Sequence, residues 1–229
     1  MHSKLLTMDR LLANLRINIP ASVYIKDPES SDLGKRIIEH SICLIDEIGI
    51  EAFTFKKLGE AIGSNESSIY RYFENKHKLL MYLCSWYWGW LEYQVVIGSF
   101  SLKDPLTKLE CAIEFISREV VEDSNFTFVD ERALNRIMIN ENSKSFLTKQ
   151  VDLENKEGSF ESYKRLVSRI WEMIEAIAPD YKHPKTLAST IVETALYQHF
   201  LREHFKNITD TGAEGPKDFL IDLVKKTLL

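Results

Sequence analysis

Apolar residues in this chain recur three and four positions apart from Ile37 almost to the C-terminus, and strand-like alternation is scarce. A period near 3.6 puts such residues on one stripe of a helix, so they can be buried only by packing helix on helix. The 9 glycines and 6 prolines punctuate this pattern. A first helix is expected over Asp32–Ile48, capped by Ser30 or Ser31, with Ile37, Ile38, Ser41, Leu44 and Ile45 facing inward and Gly49 ending it. Thr54 caps a short helix, Phe55–Ile62, that Gly63 stops, and Asn65 caps another, Glu66–Tyr72. A long helix starts near Asn75. Asp104-Pro105 opens the next, with the inner row Leu106, Leu109, Ile113, Ile116 and Val120. Further helices are expected over Val129–Asn140, Phe160–Ala178, Pro184–Phe205 and Lys217–Leu228, with residues 206–216 as a loop. The fold class is therefore all-α: a three-helix N-terminal domain followed by a larger helical bundle. The expected boundaries are an arm over 1–30, a compact domain over 31–76 and a body over 77–229.

Bulk properties exclude several classes. A hydrophobic fraction of 45% and a charged fraction of 28% suit a globular chain that buries a core. The net charge of −5 argues against indiscriminate coating of nucleic acid, while leaving room for a local basic face. Cys43, Cys84 and Cys111 are odd in number, far apart and without ligand spacing, so neither a disulfide framework nor a zinc site is expected. The first apolar stretch, Leu5–Leu15, is broken by Asp9 and Arg10, which does not read as a signal peptide. Leu79–Ile97 carries one formal charge, Glu92, and is nearly long enough to span a bilayer. Trp86, Trp88 and Trp90 sit in its middle, however, and not at the ends where interfacial aromatics belong. A buried helix of a cytoplasmic protein, without membrane partner, is the expectation.

Between residues 54 and 73 the chain spells a short helix, a glycine turn and a second short helix, the helix-turn-helix spacing. Leu58, Ala61, Ile62, Ile69 and Phe73 can lock these helices to the first. The other face offers Ser67, Ser68, Arg71 and Tyr72, side chains that hydrogen-bond to base edges or phosphates. Thr54, Lys56 and Lys57 precede this face, and Lys76 and Lys78 follow it. Residues 31–80 hold 7 basic and 8 acidic side chains, but 54–78 hold 5 basic against 3 acidic, so charge is polarised and not merely summed. Only neutralised phosphates contribute to affinity, so a polarised face suffices. Glu66 can either accept from cytosine N4 or repel phosphate.

The first helix ending in Gly49, the Thr54-Phe55-Lys56-Lys57-Leu58 entry, Ile62-Gly63, Ile69-Tyr70-x-Tyr72-Phe73 and Asn75-Lys76-x-Lys78-Leu79-Leu80 together resemble the N-terminal domain of the TetR family over residues 34–80. That resemblance implies a DNA-binding regulator that holds a near-palindromic operator as a homodimer, as a repressor in most cases. It implies contact with double-stranded DNA through Thr54, Lys56, Lys57, Glu66, Ser67, Ser68, Tyr70, Arg71, Tyr72, Lys76 and Lys78. The sequence departs from the family pattern at Gly59 (usually Ala), Ser64 (usually Val), Asn65 (usually Ser or Thr), Ser67 (often Gly or Ala) and Tyr72 (often His). Gly59 is expected to cost its helix about 1 kcal/mol relative to Ala.

In the family the long fourth helix joins head to body and lines an effector pocket. The resemblance thus makes Trp86, Trp90 and Tyr93, with Phe115 and Trp171, pocket candidates for an unidentified small apolar or aromatic effector. Core packing is the competing reading of these aromatics, and a protein partner the alternative to a small molecule. For dimerisation, Ala188, Ile191, Val192, Ala195 and Leu196, and Phe219, Leu220, Leu223 and Val224, form two stripes that a two-fold four-helix interface would bury. His199 and Glu203 stand one turn apart without a third ligand, so no metal or other cofactor is expected. No nucleophile–base set or phosphate loop is present, so neither is an enzyme. The arm is read as a packed or frayed tail. Its alternatives are a small helix carrying Leu5, Met8, Leu12 and Leu15, and a Lys26 that reaches a minor groove.

Overall fold

A computed structural model of the chain describes residues 16–120, 128–212 and 215–229. Among the described residues it contains ten α-helices and no strand: α1 (Asp32–Ala52), α2 (Phe55–Ala61), α3 (Glu66–Tyr70), α4 (Lys76–Ser99), α5 (Pro105–Ser117), α6 (Glu131–Glu141), α7 (Val151–Lys156), α8 (Glu161–Ile177), α9 (Pro184–His204) and α10 (Lys217–Leu228). Four short 3-10 turns accompany them, at Ala21–Val23, Pro28–Ser30, Asn142–Ser145 and Lys206–Ile208. The all-α class expected from periodicity is the observed one. Leu5, Met8 and Leu12, and the rest of residues 1–15, lie outside the described residues.

The chain divides into two compact units, residues 1–87 with 120–137 and 141–159, and residues 88–119 with 138–140 and 160–229. In the first, Ser31 caps α1 by accepting from the Gly34 amide, and Ile37, Ile38, Ser41, Ile42 and Ile45 are buried. Leu44 is only half-buried, because Ile42 takes the inward position. Gly49 leaves helical geometry at φ 72 and ψ 159, where the first helix was expected to stop, and a last turn, Ile50–Ala52, follows it. Thr54 and Asn65 cap α2 and α3 as their positions imply, accepting from Lys57 N at 3.2 Å and Ser68 N at 2.9 Å. Leu58, Ile62, Ile69 and Phe73 are buried between these helices and α1, while Ala61, expected among them, is exposed at the end of α2. Gly59 does more than weaken a helix. A Cβ there would stand 2.9 Å from Ser64 O, so the close turn between α2 and α3 requires glycine.

The segment from Arg16 to Ser31 packs onto this unit. Ile17, Ile19 and Val23 are buried, Ile25 N donates to Tyr72 O at 2.7 Å, and Arg16 pairs with Asp27 and Glu29. Asp27-Pro28 is the same cap-and-proline signal as Asp104-Pro105, and it starts a helical turn in the same way. Segment 141–159 belongs to this unit as well. It includes α7, which the sequence pattern did not announce because its exposed Leu153 breaks the inward stripe.

In the second unit, α8 packs on α5 and α9, and α10 packs on α5. The α8 stripe Ser162, Leu166, Ile170, Ile174 recurs every fourth residue and is wholly buried. α5 stops at Ser117, so Val120 lies beyond the helix whose inner row it was expected to extend. Residues 79–91 of α4, Trp86, Tyr87, Trp88 and Trp90 among them, are all buried, which accounts for the apolar sequence of that stretch, while Ile97 near the end of the helix is exposed. No helix among the described residues is long and apolar enough to cross a membrane.

Candidate nucleic-acid interface

The α2–turn–α3 element offers one polar face, and the eleven side chains expected there divide by their surroundings. Lys56, Lys57, Ser67, Tyr70 and Arg71 are exposed. Tyr70, 48% exposed, stands edge-on to Phe55 with ring centroids 5.0 Å apart, and its hydroxyl donates to Glu66 at 3.4 Å. Its ring is thereby fixed while its tip stays in solvent. Lys57 Nζ donates to Ala52 O at 2.9 Å, a contact at an exposed site that a stronger anion can replace. Glu66 and Ser68 are half-buried, and Ser68 Oγ donates to the Asn65 cap at 2.8 Å. Thr54 is exposed and spends its hydroxyl oxygen on the cap.

Three of the eleven face inward. Tyr72 is 4% exposed; its hydroxyl lies 2.8 Å from Ser31 Oγ, and Lys26 Nζ sits 5.0 Å over its ring. α3 ends at Tyr70, so Tyr72 leaves the helical face and becomes the anchor for the arm. Lys26, expected either in a packed or frayed tail or as a groove probe, is held on that ring. Lys76 donates to Ile50 O at 2.9 Å, Glu51 O at 3.0 Å and Phe53 O at 3.4 Å. Lys78 pairs at 3.5 Å with Glu154 Oε1, which also lies 2.9 Å from His77 Nε2; Glu154 is 2% exposed. Glu154 belongs to a helix that local sequence does not mark, so sequence reasoning missed this pairing.

The candidate effector aromatics are Trp86 and Trp90, both buried, and Tyr93, Phe115 and Trp171, which are half-buried. Phe115 lies against Gly98 and under the Arg118 guanidinium at 4.3 Å, and Lys185 sits 4.3 Å over the Trp171 ring. Two cavities are lined by other residues: one of about 450 Å³ between Gln198, residues 208–212, Gly215, Pro216 and the start of α10, and one of about 220 Å³ beside Arg16, Tyr24 and Tyr82.

The dimer stripes need correction. Ala188, Ile191, Val192, Ala195, Leu220 and Val224 are fully buried and Leu196 is 6% exposed, all within one chain. Their helices pack on α5 and α8, so these residues form the core of the second unit and are closed to a partner. Of the named set only Phe219, 54% exposed, and the half-buried Leu223 face outward. His199 is also buried; its Nε2 lies 2.8 Å from Ser117 O, and no group of three metal-ligating side chains occurs among the described residues.

A capped α2, a tight glycine turn, a capped α3 and an exposed basic and hydroxyl face form a helix-turn-helix reading unit in both geometry and chemistry. Residues 37–83 match the family model described as bacterial regulatory proteins, tetR family. The chain carries a TetR-family head. No curated protein sequence matches the chain. Among solved structures, a bacterial regulatory protein of the tetR family from Rhodococcus RHA1 is similar at 15% identity and a TM-score of 0.58, covering 86% of this chain and 97% of that one. AibR in complex with isovaleryl coenzyme A and operator DNA is similar at 15% identity and a TM-score of 0.56, covering 85% and 98%. The fatty acid degradation regulator FadR from Bacillus halodurans is similar at 17% identity and 0.54, covering 84% and 96%. At these identities the likeness concerns the fold, and it extends the TetR-type architecture from the head to the body.

Proposed function

We propose that this protein is a one-component transcriptional regulator, acting as a repressor, that binds a near-palindromic operator as a homodimer and is modulated by a small apolar or aromatic effector. The exposed set Lys56, Lys57, Ser67, Tyr70 and Arg71 on a helix-turn-helix head carries this reading. The lysines and Arg71 supply charge for phosphates, and Ser67, Tyr70 and Arg71 supply hydrogen bonds to bases or backbone. A reading helix as short as α3 contacts few base pairs, so two heads must reach successive major-groove faces about 34–36 Å apart.

The partner that holds two heads together is a second copy of the chain. Exposed apolar residues on the second unit support this: the aromatics Tyr197 at 60%, Phe205 at 48% and Phe219 at 54%, and Ile208 at 64%. Phe200 stacks on Tyr197 with centroids 6.0 Å apart and contacts His204 and Phe205, which makes a continuous aromatic surface. Such a patch costs free energy in water until covered. The effector is supported by the aromatics of α4 and by AibR, which binds isovaleryl coenzyme A and operator DNA on the same fold.

Selection of bound sequences from random duplex DNA tests the whole reading. Enrichment of two inverted half-sites is the expected result. Recovery of no preferred sequence would remove the operator function.

A further inference from the structure

The turn from Gly49 to Phe53 connects the main length of α1 to the reading element, and it is gripped from two sides within one compact unit. On one side stands Lys76, the first residue of α4. An ammonium has three N–H donors, and the carbonyls of Ile50, Glu51 and Phe53 at 2.9, 3.0 and 3.4 Å occupy all three. A cation is also favoured at the carbonyl end of a helix. On the other side stands Glu141, 8% exposed at the end of α6. Its Oε1 accepts the Ile50 amide at 3.3 Å, and its Oε2 pairs at 2.6 Å with Lys144, whose Nζ lies 3.6 Å from Glu51 Oε1. Gly49 belongs to the same arrangement: its φ of 72 turns the chain, and a Cβ there would meet Glu141 Oε1 at 3.2 Å. The buried Phe53 and the Thr54 cap follow directly, so the position of the turn becomes the position of α2, and of α3 packed on it.

We propose that Lys76 and Glu141 are positioning residues that set where the reading helix stands by holding the 49–53 turn, Lys76 by its carbonyls and Glu141 by the Ile50 amide, and that neither touches DNA. The inference rests on the operator reading above. It replaces the phosphate contact that the place of Lys76 after α3 suggests. The two roles differ in what they change. A lost phosphate contact weakens binding to every duplex and flattens its salt dependence. A head that merely folds less well loses affinity equally for all duplexes. A misplaced head loses discrimination between half-site spacings.

The test uses the full-length protein and its selected operator, beside the same operator with one base pair inserted between the half-sites, each across a salt series. For Lys76→Met and Glu141→Gln the ratio of the two affinities is expected to shrink several-fold while the salt slope of Lys76→Met stays at the wild-type value. Lys56→Ala, the comparator, is expected to keep the ratio and lower the slope by about one. An unchanged ratio in both variants, or a slope lowered by one in Lys76→Met, overturns the proposal. If Lys76→Met does not fold, Lys76→Arg replaces it; a planar guanidinium cannot serve the same three carbonyls, and a partial loss of the ratio is expected. Amide exchange at Ile50 reads the grip without DNA. It is expected to accelerate at least about ten-fold in Glu141→Gln relative to the exchange of buried α1 amides, and no acceleration overturns the grip. A wild-type protein that binds no duplex while Ile50 responds in this way overturns the operator reading and leaves the grip standing.

Discussion

The α2–α3 head and the α9–α10 pair are both built from regular helical stripes, but they turn opposite chemistry to solvent. The head buries Leu58, Ile62, Ile69 and Phe73 and exposes Lys56, Lys57, Ser67 and Arg71. The α9–α10 pair buries Ala188, Ile191, Val192, Ala195 and Val224 and exposes Tyr197, Phe205 and Phe219. A polar open face is at rest in water and gains free energy only from a charged or hydrogen-bonding partner. An aromatic open face gains by being covered. In both regions the regular stripe is core, and the residues off the stripe face solvent.

The sharpest way to break this comparison is to place a charge on each face of α9. Ala195→Glu puts a carboxylate in a site with no exposure and no partner, which should cost about 3–5 kcal/mol or more and prevent accumulation of folded protein. Tyr197→Glu with Phe219→Glu should leave circular dichroism and melting near wild type while sedimentation shifts from dimer to monomer and operator affinity falls. A dimer that survives the pair of surface charges would move the interface away from these aromatics.

A smaller effect is expected on the head. Lys56→Ala should weaken operator binding and lower the steepness of its salt dependence by about one phosphate. Tyr70→Phe removes only a hydroxyl and should cost about 1 kcal/mol, the net worth of a single hydrogen bond, with the salt slope unchanged. Equal affinities and slopes for both variants and the parent would falsify DNA contact at these positions.

The smallest effects are pH dependences of opposite sign in the two units. Burial raises the Glu29 carboxyl above its ordinary 4.5, against the pull of Arg16 and the Tyr82 hydroxyl. The folded form then holds its proton more tightly than the unfolded chain, so stability is lost as pH rises from about 4.5 upward. Glu29→Gln should therefore melt higher than the parent at neutral pH, with the advantage disappearing in acid. His199 is shifted the other way, burial holding it below its ordinary 6.5. The unfolded chain takes up that proton first, so stability is lost as pH falls below 6.5. His199→Gln, which can still donate to Ser117 O, should flatten the acid limb of the melting curve. A parent protein whose melting temperature is level from pH 7 to 5 would remove the His199 contribution.

Local sequence determined most of the helices and several of their ends, α7 excepted. Cap residues act on amides three positions away, and the 3.6-residue period is a property of one helix, so Ser31, Thr54, Asn65, Gly63 and Asp104-Pro105 act where they stand. The exposed reading face was legible for the same reason: Lys56, Ser67 and Arg71 are separated from their buried neighbours by helical geometry alone. Partnership across the chain was not legible, because it depends on which distant groups the fold brings within a few ångströms. Lys76, Lys78 and Lys56 are one residue type in one motif, yet Lys76 is saturated by three carbonyls, Lys78 faces buried Glu154, and Lys56 is free in solvent. Ala195 and Tyr197 show the same limit on α9. Periodicity identifies a stripe that must be buried, but only the packing of α5 and α8 decides that the chain buries it against itself.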